Sequence, residues 1–279
     1  MRIFDSRLAG SFPLSYIDIM ASRLKYLAAA VLVVVSFAVE SRAQGSAGSE
    51  GTLEPRYLVD IPTAGMLPKS SFALDMDFYQ EGGVLLGLSA GILDRLSFGI
   101  SYGGTNFIGS GEPVMNAVPG VNLKIRVIEE NVVLPAIVLG FDSQGRDGYI
   151  KSLSRYTIKS PGFYVAASKN YGFLGFFSIH GGVNYSLERA DDDKDINVFV
   201  GVEKSVGGVI SLVAEYNLGA NDSNGKALGK GRGYVNAGLK CSIGGGLTLA
   251  VCLKDLVRNS SNDITVANRV VKMEYVKMF

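Results

Sequence analysis

Residues 84–102 read VLLGLSAGILDRLSFGISY, and this stretch decides the fold. On both sides of Asp94, large apolar residues alternate with glycine and serine, a period of two that an extended strand converts into two different faces. The apolar residues keep the same parity across the turn, as antiparallel strands of one hairpin must if a face is to be continuous. The stretch therefore predicts a β-hairpin. Its apolar face is Val84, Leu86, Leu88, Leu96, Phe98, Ile100 and Tyr102, and its small-residue face is Gly87, Ser89, Ser97, Gly99 and Ser101.

The same alternation continues along the chain between short turns. These turns lie roughly 35 to 41 residues apart, a spacing that holds one β-hairpin and one longer connection. About 12 strands fit this spacing, a strand number within the range of transmembrane barrels. The turns are centred on residues 93–95, 129–131, 170–172, 205–208 and 244–246.

The connections on the opposite side of the strands are mostly longer and more polar. Short turns on one side and long loops on the other are typical of outer-membrane barrels, whose strands alternate apolar residues toward lipid with polar residues toward the lumen. A soluble periplasmic β-sandwich would carry charge on its outer faces, and the outer faces here are apolar. We therefore expect an all-β fold, an antiparallel transmembrane β-barrel with short periplasmic turns and longer extracellular loops in a bacterial outer membrane. The long connections are residues 104–119, 143–160, 188–194, 219–231 and 256–267.

The beginning of the chain has the features of an export signal. Arg23 and Lys25 precede an apolar run over residues 27–39, which is too short to cross a bilayer as a helix. Small residues at 41 and 43 suit a signal peptidase, so we expect a signal peptide over residues 1–43, with Met20 as a plausible true start. An uncleaved membrane anchor is the alternative.

Residues 44–69 form a periplasmic lead-in before the barrel, which we place at residues 70–279. Pro55, Pro62 and Pro68 keep the lead-in out of regular strand ladders. Two alternatives are open for it, a path beneath the barrel or a partial plug inside it.

The last predicted strand ends in an aromatic residue. Val271, Met273, Tyr275 and Phe279 keep the spacing of two, and this ending is similar to the C-terminal signal that barrel-insertion machinery reads. Lys277 interrupts the stripe, but a charge near the membrane interface costs only about 0 to 1 kcal/mol. Tyr275 and Phe279 are therefore the predicted insertion signal.

One histidine, His180, raises the question of catalysis. It shares an inward face with Ser178 and Asn184, a residue set that invites comparison with hydrolases. On one strand, however, Ser178 and His180 are expected roughly 7 Å apart, too far for direct proton abstraction. We therefore expect no enzyme activity, and a lipid-modifying barrel hydrolase is the less favoured alternative.

Two loop segments carry charge or glycine patterns. The acidic cluster Asp191, Asp192, Asp193 and Asp195 lacks the spacing of a calcium-binding loop, so it is interpreted either as a weak divalent-ion site or as a solvated loop. The glycines of residues 229–233 resemble a phosphate cradle, but no helix follows. This basic loop can instead contact acidic groups of lipopolysaccharide.

The two cysteines lie on the two strands of one hairpin. Centring the turn on residues 244–246 points Cys241 outward and Cys252 inward, so their side chains diverge and cannot form a disulfide. We expect two buried free thiols.

The inward charges are of mixed sign. They can fill a small barrel as a network or form the eyelet of a narrow channel. Pairs such as Glu215 and Lys240, on neighbouring strands, are expected to meet across the ladder and favour filling. The inward acids are Asp75, Asp77, Glu203, Glu215 and Glu274, and the inward bases are Lys124, Arg126, Lys240, Lys254 and Lys272, with His180 as a further lumen residue.

Several motifs together resemble the YjbH-like outer-membrane proteins. They are residues 62–68 (PTAGMLP), 88–104, 141–145 (FDSQG), 159–164 (KSPGFY), 168–170 and 180–184 (HGGVN). The resemblance covers most of the expected mature chain. It implies a part in exopolysaccharide production and export, and it supplies no catalytic residues.

The sequence thus predicts a non-enzymatic barrel for exopolysaccharide export or envelope structure, with a small-solute channel as the alternative. Expected partners are outer-membrane lipid, lipopolysaccharide and the barrel-insertion machinery, together with exopolysaccharide or other secretion components. The formal net charge of +1 gives no bias toward nucleic acid, and no cofactor or metal is expected.

Overall fold

The computed structural model describes residues 47–261 and 268–279. The expected signal peptide at residues 1–43 lies outside these described residues. Within them, no helix is long and apolar enough to cross a membrane.

The regular secondary structure of the described chain is β-strand, apart from one short 3-10 helix at Ala220–Asp222. The strands are β1 (Ser71–Tyr79), β2 (Gly83–Leu93), β3 (Leu96–Thr105), β4 (Val114–Met115), β5 (Gly120–Ile128), β6 (Ala136–Asp142), β7 (Arg146–Ile150), β8 (Arg155–Ile158), β9 (Gly162–Gly172), β10 (Phe176–Tyr185), β11 (Asn197–Ser205), β12 (Ile210–Asn217), β13 (Tyr234–Gly244), β14 (Leu247–Lys254) and β15 (Asn268–Met278).

Twelve of these strands form a closed antiparallel barrel, as predicted. Each barrel strand pairs with its neighbours in chain order, and β1 closes the ring against β15, with Ser71 opposite Met278. The backbone N–H of Phe279 donates to the carbonyl of Ser70 at 2.9 Å, so the last residue completes this seam. Closure leaves no exposed sheet edge in the wall, which is what a strand in lipid requires.

Three short strands lie outside the ring. β4 pairs only with the upper end of β3, and β7 pairs with β8 in a hairpin of its own. The connection over residues 143–160, predicted as an irregular loop, therefore contains a hairpin. A cross-strand contact of Tyr149 and Tyr156, with ring centroids 5.0 Å apart, stabilises it.

The two faces of the wall are divided as the alternation predicts. Outward residues such as Leu88 and Leu212 are 51% and 49% exposed in the isolated chain, whereas the inward Glu203 is fully buried. A continuous apolar outer surface of this kind is typical of a barrel in lipid, because its exposure to water would be unfavourable.

Residues 47–69, here called the plug, lie inside the barrel. They start at the end with the short turns, where the N–H of Ser49 donates to the carbonyl of Gly207 at 3.0 Å, and they return there before β1, where the N–H of Ser70 donates to Gly91. Between these points the plug makes a tight hairpin, closed by a hydrogen bond from the N–H of Leu58 to the carbonyl of Ile61 at 3.1 Å. Of the two alternatives left open by the sequence, the structure has the internal plug.

Leu58 and Ile61 at the plug tip are almost completely buried. They belong to one apolar cluster with Phe199 of β11 and Val213 of β12. The apolar core of this barrel is thus the contact between the plug and the surrounding wall.

Both cysteines are free. Cys252 is completely buried in the lumen, whereas Cys241 is only partly covered in the isolated chain. The register explains the difference, because Cys241 is paired with the outward Leu249 and Cys252 with the inward Val270. The expectation of two buried thiols is therefore wrong for Cys241.

Candidate functional site: the plugged lumen

The turn at the plug tip is held by one carboxylate. Glu215 of β12, 3% exposed, accepts hydrogen bonds from the N–H groups of Val59 at 2.8 Å, Asp60 at 2.9 Å and Ile61 at 3.2 Å. Successive amides of a tight turn form a concave site for an anion, and here the anion is a wall side chain. Asn236 of β13 donates to the same carboxylate at 2.7 Å.

These contacts correct one expectation from the sequence. The register places Glu215 opposite Asn236 and Lys240 opposite Ser211, so the predicted Glu215–Lys240 pair across the ladder is wrong. Lys240 instead donates to the plug carbonyl of Tyr57 at 3.0 Å. Long side chains on an inward face turn toward whatever fills the lumen.

Arg56 joins the plug to the seam of the barrel. Its guanidinium pairs with Asp75 of β1 and with Glu274 of β15, at 2.7 Å for the latter. Asp75 and Glu274 lie opposite each other in the closing pair of strands, so without Arg56 two carboxylates would face each other. A shared guanidinium removes that repulsion through charge-assisted hydrogen bonds.

Two bases of β5 bind the plug from another direction. Lys124, 2% exposed, donates to the carbonyls of Arg56, Thr63 and Gly65 at 3.1 to 3.2 Å, which uses all three of its N–H donors. Arg126 forms an ion pair with Glu54 of the plug. These contacts satisfy backbone carbonyls that a buried irregular segment would otherwise leave unpaired.

A third group of charges lies at the plug tip. Lys254 of β14 pairs with Asp60 at 2.7 Å and with Asp147 of the β7–β8 hairpin at 2.9 Å. Lys272 of β15 pairs with Asp77 at 2.8 Å and lies 3.7 Å from Asp60. Lys254 therefore connects the plug directly to an external loop.

Glu203 completes the set of predicted lumen residues. Its Oε1 atom accepts from the N–H of Ala47, at the start of the plug, at 3.3 Å. Its Oε2 atom has no hydrogen-bond partner among the described residues.

His180 is a buried part of the same packing, and its predicted separation from Ser178 is wrong. Its Nε2 atom is 2.8 Å from the Ser178 hydroxyl and its Nδ1 atom is 2.7 Å from Ser168 Oγ. The Cα atoms of alternate residues are indeed about 7 Å apart, but both side chains project to one face and the ring spans the gap. Ser168 also accepts from the N–H of Ala64 in the plug at 2.8 Å.

This arrangement has no room for hydrolysis. Ser178 is 0% exposed and His180 is 2% exposed, and the plug covers both. A nucleophile needs a place beside it for the reacting carbon. The cavity that borders His180 and Ser168 has a volume of only about 10 Å³, room for a single water molecule. The contacts are those of a structural histidine.

The acidic loop cluster is an ion-pair centre between the external loops. Arg155 of β8, fully buried, pairs with Asp191 and Asp222, each at 2.6 Å, and Lys159 pairs with Asp191 at 2.8 Å. Burial alone would raise the pKa of Asp191, but hydrogen bonds from Lys159 and Arg155 lower it below its ordinary value. The interpretation of this cluster as a solvated loop or a metal site is therefore wrong for Asp191, and the described residues contain no group suited to a metal ion.

The glycine-containing loop at residues 229–233 is also tied to a neighbouring loop. Lys230 donates to the carbonyl of Ser260 at 2.7 Å, and Arg232 donates to Val257 at 3.3 Å. Its cations thus bind loop carbonyls, and no phosphate cradle is formed.

A cavity of about 110 Å³ remains between the plug and the opposite side of the wall. We call it the lumen cavity. No residue of β9 to β12 lines it, and its floor on β2 and β3 is the small-residue face of the first hairpin. Its charged lining residues are Arg56, Asp75, Asp77, Lys124, Asp142, Arg146, Lys240, Lys272 and Glu274, and its small ones include Gly87, Ser89, Ser97, Gly99 and Ser101.

Sequence reasoning identified most charged wall residues of this site but missed Asp142 of β6 and the residues of the plug and of the β7–β8 hairpin. Arg56, Tyr57 and Asp60 lie in a segment without periodicity, and Arg146 lies in a connection interpreted as a loop. The Tyr149 and Tyr156 pair flanking a four-residue turn was the available signal for that hairpin.

No protein-family model and no curated protein matches the chain. Among solved structures, the KdgM porin is similar with a TM-score of 0.46 at 9% identity, covering 74% of this chain and 98% of that one. The NanC porin is similar with a TM-score of 0.42 at 7% identity, covering 75% and 99%. TM-scores below 0.5 assign neither substrate nor activity to this chain, and the barrel is established by its own strand pairing. The resemblance to YjbH-like proteins stays a prediction.

Proposed function

We propose that this protein is a non-enzymatic outer-membrane channel for small polar solutes, narrowed by its own plug. The observation that carries the proposal is the lumen cavity, which lies beside the plug where β2 and β3 present mainly glycine and serine. A space of about 110 Å³ lined by charges and hydroxyls accommodates several water molecules. Hydrated, charge-lined constrictions of this kind are the usual basis of solute selection in pores.

The same dimensions argue against passage of a polymer in this conformation. A polysaccharide chain is far larger than the lumen cavity, so its export would require the plug to leave the lumen. The plug is fixed at both ends and held by ion pairs to β1, β5, β14 and β15. Small solutes therefore fit the structure better than exopolysaccharide.

Conductance in planar bilayers tests the proposal with a matched pair of variants. Ser89→Phe places a large ring in the lumen cavity, whereas Leu88→Phe, on the next residue of β2, places it toward lipid. We expect small, steady single-channel currents for the natural protein and for Leu88→Phe, and strongly reduced currents for Ser89→Phe. Absence of currents from the folded natural protein, or equal currents from both variants, would contradict the channel.

A further inference from the structure

Two internal spaces meet at one residue, Arg146. The lumen cavity lies on its barrel side, and a second cavity of about 30 Å³ lies beneath the external loops. Among the described residues that line them, Arg146 is common to both. The Arg146 side chain therefore lies between the lumen cavity and the space beneath the loops.

The guanidinium of Arg146 differs from the other cations around the lumen cavity. It lies 4.7 Å from the centroid of the Tyr57 ring, and its buried Nε atom has no hydrogen-bond partner in residues 47–261 and 268–279. By contrast, Arg56 and Lys272 are in ion pairs, and Lys124 donates to three plug carbonyls. An unused donor of a buried cation thus lies at the junction of the two spaces.

The carboxylates of the lumen cavity already have donors. Arg56 binds two of them, Asp75 and Glu274, and Lys272 binds Asp77. Asp142 accepts from the Tyr57 hydroxyl at 2.7 Å. The lining carries one more base than acids, since the bases are Arg56, Lys124, Arg146, Lys240 and Lys272 and the acids are Asp75, Asp77, Asp142 and Glu274.

We infer that Arg146 binds small anions at this junction, in the size range from chloride to acetate, and that it gives the passage a preference for anions. A guanidinium keeps its charge under all physiological conditions and presents several donors in a fixed plane, which suits an anion in transit. The selectivity part of this inference rests on the proposed channel function, whereas the binding part rests on the junction alone.

Reversal potentials in a potassium chloride gradient test the selectivity. Arg146→Gln removes the charge and keeps a side chain of similar shape, and Arg146→Lys keeps the charge. Lys151→Gln is the matched control, because Lys151 is exposed at the tip of the same hairpin. We expect the chloride-to-potassium permeability ratio to fall about fivefold in Arg146→Gln, which corresponds to about 1 kcal/mol for a unit charge at about 4 Å in water. It should stay high in Arg146→Lys and Lys151→Gln, and an unchanged ratio in Arg146→Gln overturns the selectivity.

Thermal unfolding tests the binding without any need for current. A bound ligand raises the stability of the folded state, so chloride should raise the Tm above that in potassium gluconate at equal ionic strength, because gluconate is too large for the junction. The difference should vanish in Arg146→Gln and persist in Lys151→Gln. If the natural protein gave no current but showed this chloride effect, the channel proposal would be wrong and the anion site would still be supported. Absence of the chloride effect, or its persistence in Arg146→Gln, overturns the anion site.

Discussion

The hairpins β2–β3 and β11–β12 lie opposite each other in the barrel, and they differ only on the inside. Outward residues of both are apolar and similarly exposed, with Leu88 at 51% and Val200 at 46%. Inward, β11 and β12 press Phe199, Val213 and Glu215 against the plug, whereas β2 and β3 present small residues to the lumen cavity. We call the first the packed wall and the second the small-residue wall.

The difference shows that each strand is adapted to two environments, lipid on the outside and the lumen on the inside. Lipid sets the outward residues in the same way all round the ring, and the contents of the lumen set the inward residues locally. Glycine permits close contacts on both walls, since a Cβ at Gly201 would lie 2.4 Å from the Leu58 side chain and one at Gly87 would lie 3.3 Å from Asp75. The close neighbour is the plug at Gly201, whereas at Gly87 it is a side chain of the adjacent strand β1.

Truncation of an inward side chain should give the largest difference in stability between the two walls. Phe199→Ala removes a buried ring from the contact with the plug and should lower the free energy of unfolding by about 3 to 5 kcal/mol. Ser89→Ala, at the lumen cavity, should change it by less than about 0.5 kcal/mol. Urea titrations in lipid vesicles measure both, and equal losses would mean that the plug does not depend on the packed wall.

An arginine at an outward position should destabilise both walls by similar amounts. Leu212→Arg on the packed wall and Leu88→Arg on the small-residue wall should each cost about 2 to 4 kcal/mol near the bilayer midplane. Ser89→Arg, which points into the lumen cavity, should cost clearly less. The folded fraction can be followed by the heat-dependent gel shift of the barrel, and tolerance of Leu88→Arg would show that β2 does not face lipid.

His180→Ala tests whether the packed side of the lumen carries chemistry. The variant loses two hydrogen bonds and leaves Ser168 and Ser178 without their shared partner, so we expect a loss of about 1 to 3 kcal/mol in stability. Any envelope phenotype should remain. If the folded variant lost a lipase or deacylase activity that the natural protein has, the non-enzymatic function would be wrong.

The smallest expected effect is a pH dependence in the loop between β10 and β11. Burial raises the pKa of Glu188 to about 7, despite hydrogen bonds from Tyr156 and Ser160 that lower it. The ordinary value for an unfolded Glu is about 4.3, so the folded state binds the proton more tightly, and this contribution to stability is complete below about pH 4. It is lost as the pH rises through about 7.

Tm values between pH 5 and 8 measure this contribution. The decline with rising pH should be shallower in Glu188→Gln than in the natural protein. Glu112→Gln, in an exposed loop beyond the small-residue wall, serves as the control. Identical pH profiles for Glu188→Gln and the natural protein would contradict the burial of this carboxyl.

The barrel was predictable from the sequence because lipid imposes a period of two on every strand that it touches. The outward orientation of Leu86, Leu88 and Phe98 could therefore be predicted from the alternation alone, without knowing which residues they contact. The contents of the lumen obey no period, since Arg56 finds Glu274 at a separation of 218 residues and Val59 finds Glu215 at 156. Inward charges could be recognised, but the partners that they bind could not.

The predicted separation of Ser178 and His180 was wrong for a different reason. The spacing along a strand gives the distance between Cα atoms. A hydrogen bond depends instead on the length and conformation of the two side chains. Ser178 and His180 share a face, so their polar atoms meet at 2.8 Å. Sequence spacing alone does not contain that distance.

The plug precedes every strand that holds it, and this order has a consequence for biogenesis. Several of its partners lie on β12, β14 and β15 near the end of the chain, so these contacts span long sequence separations and are among the slowest to form. Both ends of the plug are attached at the short-turn end, so it enters the lumen as a loop. A ring that closed without it would have an unobstructed lumen. The timing of assembly, as much as the stability of the finished barrel, therefore decides whether each copy has a narrow, plugged lumen or an open one.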